Sequence, residues 1–226
     1  MTMEQWLEQA AQSGLTEEAE GYLLGRGATD QDILDYAYFV WSPPSTPAPD
    51  PGFAAKYLPY GERWAGLLVC LIRGPDGAIT GAKAKGLHQK LSLVYRVPSQ
   101  PWSIFLWGCD HATVRAWGGG AVWVTEGDFD ALALGWCIPK TDGRVALQTA
   151  RLSESHVEHF RRLGCHVHLV LDMDRAGREG TARAVKAFEA VGVPYTPWKY
   201  LGGKDPGEIW DKQGAEGLRA AFDMGV

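Results

Sequence analysis

With 226 residues, 46% of them hydrophobic and 22% charged, the chain is long enough to bury a core and too apolar for disorder. No apolar run reaches membrane-spanning length, and the first twenty residues carry Glu4, Glu8, Glu17, Glu18 and Glu20 in place of a basic start and an apolar stretch, so a cytoplasmic protein is expected. The net charge of −5 hides an asymmetry: residues 1–50 hold nine acids and one arginine, residues 56–96 seven basic residues against two acids.

In chain order, apolar spacing predicts a helix over residues 3–12, and Thr16 caps a second through Leu24. Gly25 and Gly27 end it, and a third starts at Thr29 or Asp30 and runs to about Phe39. Residues 42–51 are proline-rich; proline fixes φ and removes a donor, so this stretch reads as a linker or exposed loop. Residues 67–73 and 78–85 read as strands around a Gly74-Pro75-Asp76-Gly77 turn, with further strands at 91–97 and 104–106.

From Ala121 strands and helices alternate: strand 121–125, helix 128–136, strand 145–148, helix 153–163, strand 166–171, helix 178–191 and strand 195–200, before short C-terminal helices. Such alternation predicts an α/β fold with a mainly parallel sheet covered by helices on both faces. The expected division is a smaller mixed α+β basic part, residues 1–118, followed by the α/β domain, residues 119–226.

Three acidic motifs fall at or near strand ends: Thr125-Glu126-Gly127-Asp128-Phe129-Asp130, Asp172-Met173-Asp174-Arg175-Ala176-Gly177 and Lys204-Asp205-Pro206. In open parallel sheets functional groups gather at the carboxyl ends of the strands, so Glu126 and Asp172 belong on one rim if their strands are neighbours. Clustered carboxylates suit Mg²⁺, which bridges to substrate phosphates, and a basic sector beside them suits a polyanion. The pattern points to phosphoryl or nucleotidyl transfer on nucleic acid. Each acid taken singly is equally well read as a helix cap.

Taken together, Thr-Glu-Gly-Asp-Phe-Asp-Ala-Leu, Asp-Met-Asp-Arg-Ala-Gly and Lys-Asp-Pro resemble the Toprim domain of bacterial-type primases, type IA and II topoisomerases and certain nucleases. The Glu-Gly-x-x-Asp form followed by Ala-Leu is most similar to the primase branch. Upstream, Tyr22-Leu23-Leu24-Gly25-Arg26-Gly27-Ala28, the Arg63 to Lys85 stretch with Gly81-Ala82-Lys83-Ala84-Lys85, and Trp107-Gly108 are similar to a primase core.

The resemblance implies a Rossmann-like Toprim sheet and a DNA primase, a nucleotidyltransferase making short primers on single-stranded DNA for replication. It makes Glu126, Asp172 and Asp174 catalytic, and Glu126, Asp130, Asp172, Asp174 and Asp205 ligands of Mg²⁺ or Mn²⁺. Arg63, Lys83, Lys85, Lys90, Arg175 and Lys204 would contact nucleic acid or nucleoside triphosphates. Where many primases have a second acid two residues after the Asp-Pro acid, this chain has Gly207, and Glu208 follows. The zinc-binding module and helicase modules of replicative primases are not in the sequence. Another polypeptide is then expected to supply template recognition, with a replicative helicase as a further partner, or the chain is a minimal primase of a phage or mobile element. The alternatives are a Toprim nuclease and a non-catalytic single-stranded-DNA-binding replication protein.

Cys70, Cys109, Cys137 and Cys165 form no Cys-x-x-Cys pair, so no zinc is expected and buried free thiols are the reading. His166 and His168 share one face of a strand and are read as packing rather than as metal ligands. Trp64, Trp102 and Trp107 lie near the basic sector, where core packing is favoured over base stacking.

Overall fold

Two four-stranded sheets meet along one shared core in the computed structural model, which describes residues 3–42, 64–97 and 105–222. Most of the proline-rich stretch, with Arg63, Trp102 and Ile104, lies outside the described residues.

Helices α1 (Met3–Ala11), α2 (Glu17–Gly25) and α3 (Asp30–Asp35) come first. Thr16 and Thr29 cap α2 and α3 by accepting from Ala19 N and Asp32 N. The third helix ends four residues short of expectation. Ala37 adopts a φ of 48°, and the aromatic, β-branched run Tyr38-Phe39-Val40 leaves the helix to form β1 (Tyr38–Val40). β1 pairs antiparallel with β2 (Leu68–Arg73), β2 with β3 (Ile79–Lys85) across the expected turn, and β3 with β4 (Ser92–Arg96).

Alternation along β2 and β3 gives the antiparallel sheet two buried faces. Val69, Leu71, Ala82 and Ala84 pack with Trp6, Leu7, Trp41 and Trp64 on one side. Leu68 and Cys70 face the other way, into a cluster with Leu23, Trp107, Phe129 and Ala146. Lys83 and Lys85, opposite Cys70 and Leu68 in register, share that second face.

Of the strand expected at 104–106, the described residues Phe105 and Leu106 form none. Phe105 and Leu106 are buried without a ladder, and Trp107 makes a single bridge to Ala146. Their apolar character reflects core packing, to which Trp107 contributes fully buried.

Beyond α4 (Cys109–Trp117) come β5 (Val122–Thr125), α5 (Asp128–Leu134), β6 (Gly143–Ala146), α6 (Glu154–Leu163), β7 (Val167–Leu169), α7 (Arg175–Val191), β8 (Tyr195–Pro197) and α8 (Pro206–Phe222). The four strands are parallel in the order β6-β5-β7-β8, so β5 and β7 are neighbours at the centre. Val122 and Val124 point into a core with Ala112, Phe160 and Phe188 from α4, α6 and α7. Trp123 points to the opposite face, with Leu134, Ile209 and Phe222 from α5 and α8. Helices therefore cover both faces, the architecture that alternation predicts.

α7 begins three residues earlier than its apolar pattern, because Asp174 caps it by accepting from Gly177 N. α8 contains a kink at Gly214, which splits it into two short helices. His168 stacks on Trp123 and accepts from Trp198 Nε1, and His166 Nε2 is hydrogen-bonded with the Thr196 hydroxyl. The four cysteines are free thiols. Among the described residues no helix is long and apolar enough to cross a membrane.

Candidate active site

The carboxyl ends of β5 and β7 lie side by side, and each releases an acid into the loop that follows. Glu126 Oε1 accepts from the backbone N–H of Asp172 at 3.1 Å, joining the first two motifs directly. The third motif is joined through its backbone: Met173 N–H donates to Lys204 O at 2.7 Å, and the Tyr200 hydroxyl reaches Leu171 O at 3.0 Å and Lys204 O at 3.2 Å. Asp205 begins α8, its Oδ1 accepting from Glu208 N at 2.7 Å ahead of Pro206 at the first helical position.

Asp130 binds the opposite side of this arrangement. Its Oδ2 accepts from Gly127 N at 3.2 Å and its Oδ1 from Gly207 N at 3.0 Å, tying α5 to α8. Gly207 is what permits this: a Cβ there would lie 3.0 Å from Asp130 Oδ1 and 3.4 Å from Asp205 Oδ1. Glu208 turns away, accepting from Lys204 N and pairing with Lys212.

Burial, and after it the like charges on one rim, favours the protonated form of these groups. Burial, then the charge of Asp205, pushes Asp130 up to about 7. Burial and the neighbouring Asp172 and Asp174 raise Glu126, and burial leads the upward shift of Asp172. One cation offsets them: Lys204 Nζ lies 3.0 Å from Asp172 Oδ2 and 3.6 Å from Asp205 Oδ2, and its own pKa is raised well above the usual lysine range, foremost by that bond to Asp172.

The donor set is all oxygen and under-neutralised, which suits a hard divalent cation. In the structure the carboxylates are held by backbone N–H groups and Lys204 rather than closed on one point. Among the described residues no three His, Cys, Asp or Glu side chains are spaced to hold a metal ion.

The basic residues divide. Lys83, expected to contact phosphates, is buried, 8% exposed, with its ammonium 2.5 Å from Asp128 Oδ1 and bonded also to Gln148. Sequence reasoning missed both partners: Asp128 reads as a helix cap, and Gln148 carries no signal. Gln148 adopts a φ of 61° just past β6, donates to Glu126 O at 2.8 Å, and so links Lys83 to the acidic rim. Lys85 is half-buried with its Nζ 3.7 Å from the centre of the Phe129 ring, and burial lowers its pKa to about 8. Arg175 is exposed and pairs with Glu179, away from the carboxylates, while Lys90 is exposed between β3 and β4. Arg63 lies outside the described residues.

A central pair of parallel strands delivering acids to one rim, with a third acidic motif at the start of the last helix, defines a Toprim-like domain, and residues 123–210 match the Toprim-like family model. Across nearly the whole chain, the fold is that of the catalytic cores of bacterial DNA primases. The DNA primase of Thermotoga maritima is 26% identical over 242 residues, covering 96% of this chain. The chain spans 41% of the length of that relative. The Escherichia coli primase catalytic core matches with a TM-score of 0.70 at 21% identity, over 98% of this chain and 76% of that one. A DnaG primase catalytic domain bound to single-stranded DNA matches with a TM-score of 0.69 at 19% identity, over 98% of this chain and 74% of that one.

Proposed function

We propose that the chain is the catalytic core of a metal-dependent DNA primase, joining nucleoside triphosphates on a single-stranded DNA template into short primers. The observation that carries this reading is the meeting of Glu126, Asp130, Asp172 and Asp205 on one rim, beside the sheet face that bears Lys85. The relatives that share the fold are primases, one of them solved with single-stranded DNA.

In this reading Glu126, Asp130, Asp172, Asp174 and Asp205 hold Mg²⁺ or Mn²⁺. When bound, the ions supply charge neutralisation at the triphosphate and lower the pKa of the attacking hydroxyl. The 3′-hydroxyl oxygen forms a bond to the α-phosphorus, the bond from that phosphorus to the bridging oxygen breaks, and pyrophosphate leaves. Glu126 takes the hydroxyl proton. Its raised pKa suits a base, and the bond from Asp172 N–H to Oε1 holds the carboxylate at the rim. Asp172 fixes Lys204, whose ammonium then lies where phosphate charge must be held. Lys85, backed by Phe129, and exposed Lys90 offer charge to the template. Single-stranded DNA, nucleoside triphosphates and a replicative helicase are the partners this reading implies, and the chain works in the cytoplasm.

The test is a priming assay with labelled ATP or dATP, Mg²⁺ or Mn²⁺ and varied single-stranded templates. Short oligonucleotides are expected from the wild-type chain and none from Asp172→Ala or Glu126→Gln. Strand cleavage without nucleotides would reassign the rim to a nuclease.

A further inference from the structure

Gln148 stands just past β6, where the parallel ladder with β5 runs on beyond both strands. Leu147 N–H donates to Thr125 O at 3.0 Å, and Gln148 N–H to Glu126 O at 2.8 Å. That last rung fixes the main chain of Glu126 itself. Gln148 makes it from the left-handed region, with a φ of 61°. Among the described residues only Ala37, in the turn from α3 into β1, shares that conformation without being glycine. Glycine would adopt it without steric cost, so the side chain is kept against local preference.

The side chain is held at one end. Its Oε1 accepts from the Lys83 ammonium, which offers donors only, so the carboxamide is fixed with its oxygen toward Lys83. At the other end Nε2 is buried without a hydrogen-bond partner. An unpaired buried donor is a second cost borne by the same residue.

The same ammonium lies 2.5 Å from Asp128 Oδ1, and Asp128 is two residues beyond Glu126. A closed ring results. It runs from the Glu126 carbonyl to Gln148 N–H, through the Gln148 side chain to Lys83, on to Asp128, and back along the main chain through Gly127. Gly127 is the residue least able to stiffen that stretch by itself. Lys83 is 8% exposed and belongs to β3, so the ring ties the acid to the antiparallel sheet. From this ring the Glu126 carboxylate reaches Asp172 N–H at 3.1 Å.

We propose that Gln148 is the positioning residue of Glu126: its side chain, clamped by Lys83, keeps its own N–H on the Glu126 carbonyl and so sets where the carboxylate stands on the rim. A residue with only a structural role would be improved by glycine, which relieves the backbone. A positioning residue would not.

The experiment follows single amide protons by nuclear magnetic resonance in metal-free protein with chelator, for wild type, Gln148→Gly and Gln148→Glu. The Asp172 amide reports the Glu126 carboxylate, because Glu126 Oε1 is its acceptor. The Val170 amide, which donates to Val124 O at 2.8 Å, reports the ladder behind it. Gln148→Gly is expected to speed exchange at Asp172 about tenfold, the loss of one hydrogen bond's protection, and to leave Val170 unchanged. Its melting temperature should stay within about 4 °C of wild type, since glycine suits the backbone. Gln148→Glu keeps an acceptor facing Lys83 and is expected to restore the Asp172 rate. In a priming assay Gln148→Gly should lose about tenfold in kcat at unchanged KM for the nucleotide.

Wild-type exchange at Asp172 in Gln148→Gly would overturn the proposal, as would equal acceleration at Asp172 and Val170, which reports global loosening. Failure of Gln148→Glu to restore Asp172 would overturn the clamp through Lys83. What Glu126 does rests on the primase reading; where it is held does not. Exchange as expected in all three proteins, with no primer made by wild type, would sink that reading and leave the positioning role standing.

Discussion

Met173 N–H donates to Lys204 O at 2.7 Å, so the second and third acidic motifs are stitched together by main chain while the Lys204 side chain stays half-exposed between Asp172 and Asp205. The ammonium therefore stands as a tethered counter-ion to the carboxylates. Lys204→Met is expected to lower the melting temperature of metal-free protein and to tighten Mn²⁺ binding several-fold. Calorimetric titration with Mn²⁺ and a thermal melt in chelator check both; equal or weaker Mn²⁺ affinity would show that Lys204 does not compete.

Asp130 gives the metal-free protein a pH signature. Its folded pKa is raised from 3.8 to about 7, so the native state binds the extra proton; the stabilisation is full below the unfolded value and is lost as pH rises through 7. The raised pKa values of Glu126 and Asp172 act in the same sense. His156 and His168, lowered to about 4, act in the opposite sense but only below about 6.5, and Lys85 begins to matter near 8. Between pH 6.5 and 8 the melting temperature in chelator should fall, and Asp130→Asn should flatten the fall. A wild-type melting temperature constant over that window would contradict the charge crowding described for the rim.

Much of this rim is legible in the sequence because its parts are local: strand, acid, glycine, helix, repeated at the ends of β5 and β7. The order β6-β5-β7-β8 is not local, yet alternation with short connections leaves few other ways to bring Glu126 and Asp172 together. What sequence cannot supply is which faces become covered. Period-two spacing puts Lys83 and Lys85 on one face, but nothing in it says that α5 closes over Lys83 and leaves Lys85 at the edge. Asp128 looks like any first-turn acid until its partner arrives from 45 residues away. The helix expected through Phe39 fails for the same reason, since pairing with β2 overrides local helical spacing.

The buried pair formed by Lys83 and Asp128 is a structural element. Burial alone would raise the Asp128 pKa, yet the charges of Lys83 and Lys85 outweigh it and the shift is downward. Lys83→Met leaves an unpaired buried carboxylate and is expected to cost about 3–5 kcal/mol, whereas Lys83→Met/Asp128→Leu recovers most of that. Urea unfolding of the two variants makes the comparison. A fully stable Lys83→Met chain that binds DNA weakly would return Lys83 to the template contacts.

Gly177 supplies the sharpest steric test of the rim. It sits in the first turn of α7 with its N–H bonded to Asp174 Oδ1, and a Cβ on it would lie 2.0 Å from Asp172 O and 2.8 Å from Asp172 N. Backbone cannot yield as a flexible side chain does, so Gly177→Ala must push the β7–α7 loop outward and carry Asp172 away from Glu126. The helix itself should survive, because alanine is the better helix former. The expected outcome is a folded protein with native far-ultraviolet circular dichroism, Mn²⁺ binding weakened at least tenfold and no primer synthesis. Gly180→Ala, which meets Ala150 O at 2.3 Å on the next turn, should disturb the β6–α6 loop instead and leave Mn²⁺ affinity near wild type. Native Mn²⁺ affinity in Gly177→Ala would mean that Asp172 is not held where its loop now places it.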